Sequence, residues 1–71
     1  MLPMLFWLSE RDKYDITSYA FRYFMFSNLG IKASVVKAVK KVRPDKARKD
    51  GSLKLSRAAL IELEMRIKSM L

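Results

Sequence analysis

The chain has 71 residues, a formal net charge of +8, no cysteine and no histidine. A chain this short builds one small core at most. Its composition excludes disulfides, zinc sites of the usual ligand types and cysteine or histidine catalysis, so stability must come from helix packing or from an oligomer partner.

The first apolar run, "MLPMLFWL", falls short of the roughly 20 apolar residues that a membrane span requires. It also lacks the basic region and cleavage site of a secretory signal. Residues 1–13 are therefore expected to form an apolar arm or a short helix from about Pro3 to Lys13. Such an arm either packs on the core or joins a second copy of the chain. Absence of cysteine fits an intracellular setting, in cytoplasm, nucleoid or nucleus.

Residues 14–43 are expected to form a helical pair. Asp15 or Thr17 is the candidate N-cap of the first helix, whose apolar side is drawn from Ile16, Ala20, Phe24 and Met25. "YAFRYFMF" is aromatic enough for a strand. Helix is preferred because no turn signal appears before "SNLG" and Gly30 is a common helix terminator. Six of the eight aromatic residues lie between Tyr14 and Phe26. They are expected to supply core, with base stacking as the alternative. In the second helix Ile31, Val35, Val36 and Val39 recur at helical spacing, and the lysines fall mostly outside that stripe. Pro44 disfavours helical backbone at the residue before it and so ends the helix.

Residues 44–56 are expected to be a basic loop or a short hairpin, with Asp50-Gly51 at its turn. Ser56 then caps a final helix over residues 57–71, whose apolar stripe is Leu60, Leu63 and Ile67. Pairs four apart, Glu62 with Arg66 and Glu64 with Lys68, are expected on its outer side. The helical pattern runs to the last residue with no stop signal, so a truncated chain or a docking contact with another subunit at this end is expected. The predicted fold class is mainly α, with three or four helices and a hairpin, if any, before the last one.

Charge is concentrated. Residues 1–31 balance to zero, whereas residues 32–54 hold nine cations against Asp45 and Asp50. A concentrated positive field attracts polyanions. The stretch "RYFMFSNLGIKASVVKAVKK", residues 22 to 41, resembles the helix-turn-helix family of DNA-binding motifs. The resemblance implies a support helix, a turn at Gly30 and a second helix lying in the major groove. It puts Lys32, Ala33, Ser34, Lys37, Ala38 and Lys41 on the outward face of that second helix. Lys32 or Ser34 would then reach base edges, and Lys37, Lys40 and Lys41 phosphates. Arg43, Lys46, Arg48, Lys49 and Lys54 in the adjoining loop extend the same surface. Phe26 departs from the family, which prefers a small residue there, and an ordinary helical hairpin carries the same pattern. A shorter segment, "LKLSRAALIELEMRIKSML", is similar to the loop and start of the central helix in histone-fold proteins, which also implies phosphate contacts.

The expected function is non-enzymatic nucleic-acid binding by a small regulator, with duplex DNA favoured over RNA. The alternative is an interaction module, an inhibitor or subunit, that docks its basic face on an acidic protein. A homodimer or protein contact is expected through Met1–Leu8 or the last helix. No catalytic residue, cofactor or metal is expected, because the carboxylates are few and two glycines cannot build a phosphate-cradling loop.

Overall fold

The computed structural model describes residues 7–71. Among these, the chain forms three helices, α1 (Glu10–Phe26), α2 (Ile31–Val42) and α3 (Arg57–Met70), with one 3-10 turn at Pro44–Lys46. The mainly α class expected from the sequence is what forms. Pro3 and most of the apolar arm lie outside the described residues.

α1 starts earlier than the sequence suggested. Ser9 accepts a hydrogen bond from the Asp12 amide (3.1 Å), and Glu10 and Asp12 place negative charge in the first turn. A hydroxyl that satisfies an orphan amide, with carboxylates at the positive end of the helix dipole, makes a better start than either later candidate. Thr17, proposed as a cap, is instead buried inside the helix. A single helix therefore replaces the expected break near residue 14.

Asn28, not Gly30, turns the chain between α1 and α2. The Ser27 amide closes the last turn of α1 on the Tyr23 carbonyl (2.9 Å), and Asn28 takes a left-handed φ of 56°. Asparagine tolerates that conformation because its short polar side chain bonds locally. Gly30 has ordinary extended backbone (φ −68°, ψ 167°) as the N-cap of α2, and a Cβ built there meets nothing within 4 Å.

Beyond Pro44 the expected hairpin shrinks to one antiparallel bridge, Ala47 to Leu53, with no strand. Gly51 at φ +91° permits its tight turn. The Asp50 carboxylate accepts bonds from the Ser52 amide (2.9 Å) and hydroxyl (2.7 Å), which fixes the turn locally. Ser56 caps α3 as expected, accepting from the Ala59 amide at 3.1 Å.

The core is aliphatic. Ile16 and Ala20 of α1, Val35, Ala38 and Val39 of α2, and Ala59, Leu63 and Ile67 of α3 are buried, together with Leu8 and Leu55 from the segments outside the helices. Small residues at the helix contacts let the backbones approach and leave no room for a ring between them. No aromatic among the described residues is fully buried, so the aromatic cluster expected to supply core instead lines its edge. Tyr19 and Tyr23 pack half-buried against the core's edge, while Met25 and Phe26 face solvent.

Candidate nucleic-acid interface

α1 and α2 lie side by side and antiparallel. Lys37 Nζ sits 4.6 Å from the centre of the Tyr23 ring, and Lys41 Nζ 5.9 Å from that of Tyr19, one turn farther from the connection on both helices. Farther still, Arg43 at the end of α2 donates to the Asp12 carboxylate near the start of α1. Helices of this length crossing at the 90–120° of a helix-turn-helix would hold those ends roughly 20 Å apart, beyond the reach of an arginine–aspartate pair. The geometry is that of a helical hairpin.

The basic residues read from the sequence divide into three groups. Lys32, Lys37, Lys40 and Lys41 are exposed on α2, and Lys49 and Lys54 are exposed in and after the turn. Ser34 is completely buried, as is Ala38, so neither stands on an outward face. The α2 stripe is wider than the spacing of its β-branched residues indicated, because small polar and small apolar residues fill the contact with α1. Arg43 and Lys46 are also withdrawn from open surface. The Arg43 guanidinium is held by Asp45 (2.7 and 2.9 Å) and Asp12, contacts that hold its pKa above the usual arginine value. Lys46 is only 6% exposed. Arg48 stays exposed but braces the turn by donating to the Leu53 carbonyl (3.1 Å) and Ser52 hydroxyl (3.3 Å).

Lys32 adjoins the turn through a cleft of about 290 Å³ that it shares with Val36, Ser52 and Leu53. The turn thus reaches Lys32 through uncharged residues, and the other charged side chain lining the cleft is Glu64 of α3. On its other side α2 meets a feature that sequence reasoning assigned to the core. Tyr19, Arg22, Tyr23 and Phe26 follow the i, i+3, i+4, i+7 pattern of one helix face. The Tyr19 and Tyr23 rings stack at 6.3 Å, Arg22 lies 5.8 Å from the Tyr19 ring centre, and Phe26 is 85% exposed. Cations above tyrosine faces gain about 0.5–1 kcal/mol each at an exposed site, enough to hold Lys37 and Lys41 against α1 without immobilising them. The spacing was the signal that could have identified this stripe.

Most of the acidic residues are gathered elsewhere; Glu64, lining the cleft beside Lys32, is the exception. Glu10, Lys13, Glu62 and Arg66 close a ring of alternating charge that ties α1 to α3. Lys13 lies 3.3 Å from Glu10 and 3.1 Å from Glu62, and Arg66 lies 3.0 Å from Glu10 and 2.8 Å from Glu62. Hydrogen bonds from Lys13 and Arg66 hold the Glu62 carboxyl below the usual range, and those from Arg66 and Lys13 do the same for Glu10. The expected Glu62–Arg66 pair is part of this ring, whereas Glu64 and Lys68 do not pair. Asp12 and Asp45 are engaged by Arg43, and Asp50 by its own turn. From residue 16 to residue 44 there is no carboxylate side chain, so the lysines of α2 have no acidic neighbour on their own helix. Asp15, one turn before Tyr19, bounds the stripe at its lower end.

Among the described residues no helix is long and apolar enough to cross a membrane, and no group of acidic side chains is arranged to hold a metal ion. Compared with protein-family models, curated proteins and solved structures, the chain matches none.

Proposed function

We propose that this chain binds nucleic acid as a small non-enzymatic regulator, through the phosphate backbone, on the surface formed by α2, the flank of α1 and the turn at Arg48–Lys54. One observation carries this reading. All four lysines of α2 are exposed on a helix without a single carboxylate, while Glu10, Glu62, Asp12 and Asp45 are drawn into ion pairs at the α1–α3 contact and the foot of the hairpin, leaving Glu64 as the acid beside Lys32. Such segregation leaves a one-signed field over one side of the molecule. Lys32, Lys37, Lys40 and Lys41 would meet phosphates, with Lys49 and Lys54 extending the contact from the turn. Ser34, Arg43 and Lys46 drop out of the site for the reasons above.

The sequence favours duplex DNA over RNA. Phosphate contact alone serves either, because the charge is common to both. Insertion of α2 into a major groove, the docking mode implied by the helix-turn-helix resemblance, fits the hairpin poorly. The groove is about 12 Å wide and admits one helix, whereas two helices abreast span roughly 20 Å.

Binding of the purified protein to labelled DNA and RNA over a salt series tests the proposal. Neutralising four to six phosphates predicts that log affinity falls with log salt at a slope of about −4 to −5. Lys37→Glu with Lys41→Glu should abolish binding with helicity intact. Failure to bind any nucleic acid near physiological salt would leave the basic face as a docking surface for an acidic protein.

A further inference from the structure

We infer that the ligand of this surface is a single strand, whose unpaired bases stack on Phe26 and the Tyr23 face while Lys37, Lys41 and Arg22 hold the adjacent phosphates. The inference rests on the nucleic-acid reading and names its substrate class.

The argument begins with Phe26. It is the most exposed large apolar side chain of the described residues and lies on the same helix face as Arg22 and Tyr23, one turn further along. Stranded in water, its ring makes no contribution to the fold that a smaller residue would not make. Duplex DNA offers it nothing, since paired bases spend their π faces on one another and the hairpin is too broad to enter a groove. Unpaired bases present those faces. Aromatic platforms set in a positive surface are the usual means of binding single strands without regard to sequence.

The tyrosines add to this arrangement. Their rings are inclined by 30° and half-buried against the core's edge, and each also has a lysine ammonium group over it, Lys37 on Tyr23 and Lys41 on Tyr19. A lysine that swings from a ring to a phosphate keeps a charge partner and uncovers a stacking face in one movement. Lys37 is placed for this at 4.6 Å from Tyr23, the ring adjacent to Phe26. Asp15 marks the end from which a phosphate is repelled, so the strand runs from the α1–α2 connection toward Tyr19 and stops short of Asp15.

The experiment uses the full chain with four fluorescently labelled probes: a 20-nucleotide oligothymidine, the matching oligouridine, a mixed-sequence 20-base-pair DNA duplex, and phosphatidylserine vesicles. The expected result is tighter binding to the single strands than to the duplex. Phe26→Ala should then weaken single-strand binding about tenfold, the loss of one stacked base, and leave duplex binding unchanged. Phe26→Trp should retain it. Because Phe26 is exposed, neither variant threatens the fold. Equal affinity for strand and duplex, or a Phe26→Ala effect that is absent or shared by both, would overturn the inference while leaving the nucleic-acid reading intact. No binding to any nucleic acid overturns both, and capture by vesicles alone would assign the aromatic and basic face to an anionic membrane surface instead. The two oligonucleotides separate DNA from RNA.

Discussion

Single residues show most sharply how polarity and position part company in this protein. Ser34 has the side chain of a base-reading residue and the burial of a core residue, and its hydroxyl has no hydrogen-bond partner. An unsatisfied buried hydroxyl costs about 1–3 kcal/mol, so its removal without a change of shape is cheap or favourable. Ser34→Ala is therefore expected to leave stability unchanged or raise it by up to about 1 kcal/mol in urea denaturation, with nucleic-acid binding unaltered. A clear loss of binding would return Ser34 to the interface. Asn28 offers a second test, because its φ of 56° is a conformation that glycine adopts without strain and β-branched residues resist. Asn28→Gly should be neutral or stabilising, whereas Asn28→Val should cost about 1–2 kcal/mol by the same measurement. Gly30→Ala, by contrast, meets open space and ordinary backbone, so it should be tolerated.

At the scale of elements, electrostatics decides how helices are tied together. The ring of Glu10, Lys13, Glu62 and Arg66 is the charged link between α1 and α3, and both of its carboxyl groups are held below their usual pKa by the cations beside them. A group whose folded pKa is depressed contributes stability that is present above its unfolded pKa and lost as pH falls through the folded value. Stability is thus expected to decline on acidification through and below the ordinary carboxylate range, and Glu62→Gln should flatten that decline. Chemical denaturation of both proteins between pH 7 and pH 2 checks this, and identical pH profiles would show that the ring contributes nothing. Lys13 works at the other end of the scale: its pKa is raised chiefly by Glu62, so its contribution persists until strongly alkaline pH. The same ring has a consequence for binding, since each acid it holds lies away from α2.

For the whole molecule the limiting quantity is the size of the core. A 71-residue chain without disulfides rests on a few aliphatic side chains, and total stabilities of such domains are only about 5 kcal/mol. Leu63, completely buried in α3, touches the region where the three helices meet. Leu63→Ala should cost about 2–4 kcal/mol, enough to bring the protein close to unfolding. Far-ultraviolet circular dichroism during heating reads this directly, and a melting curve that hardly moves would mean that helices are held by something other than the core. The surface has its own division at this scale. The basic face lies on α2 and the flank of α1, while Ile61 and Met65 of α3 remain exposed beside a groove of about 520 Å³ on the side that carries the charge ring.

Local rules settled a good deal of this protein in advance. Helical spacing of Ile31, Val35 and Val39, the cap at Ser56, the stop at Pro44 and the pile-up of cations after residue 31 all follow from the order of side chains along the chain, and all appear in the fold. Such features depend on neighbours within one or two turns, and the sequence contains those neighbours. What only the tertiary structure decided depends on partners far apart in sequence. Ser34 and Ala38 turned inward because α1 lies along α2, a contact that helical periodicity within α2 cannot encode. Arg43 left the candidate interface because Asp45, two residues on, and Asp12, 31 residues away, both hold it, and only the first of these was within reach of local sequence. The aromatic residues line the core's edge instead of filling it, with Tyr14 and Phe26 exposed, because aliphatic and small side chains occupy the contacts between the helices. Composition supplies charge, but long-range packing decides which charges remain available to a ligand.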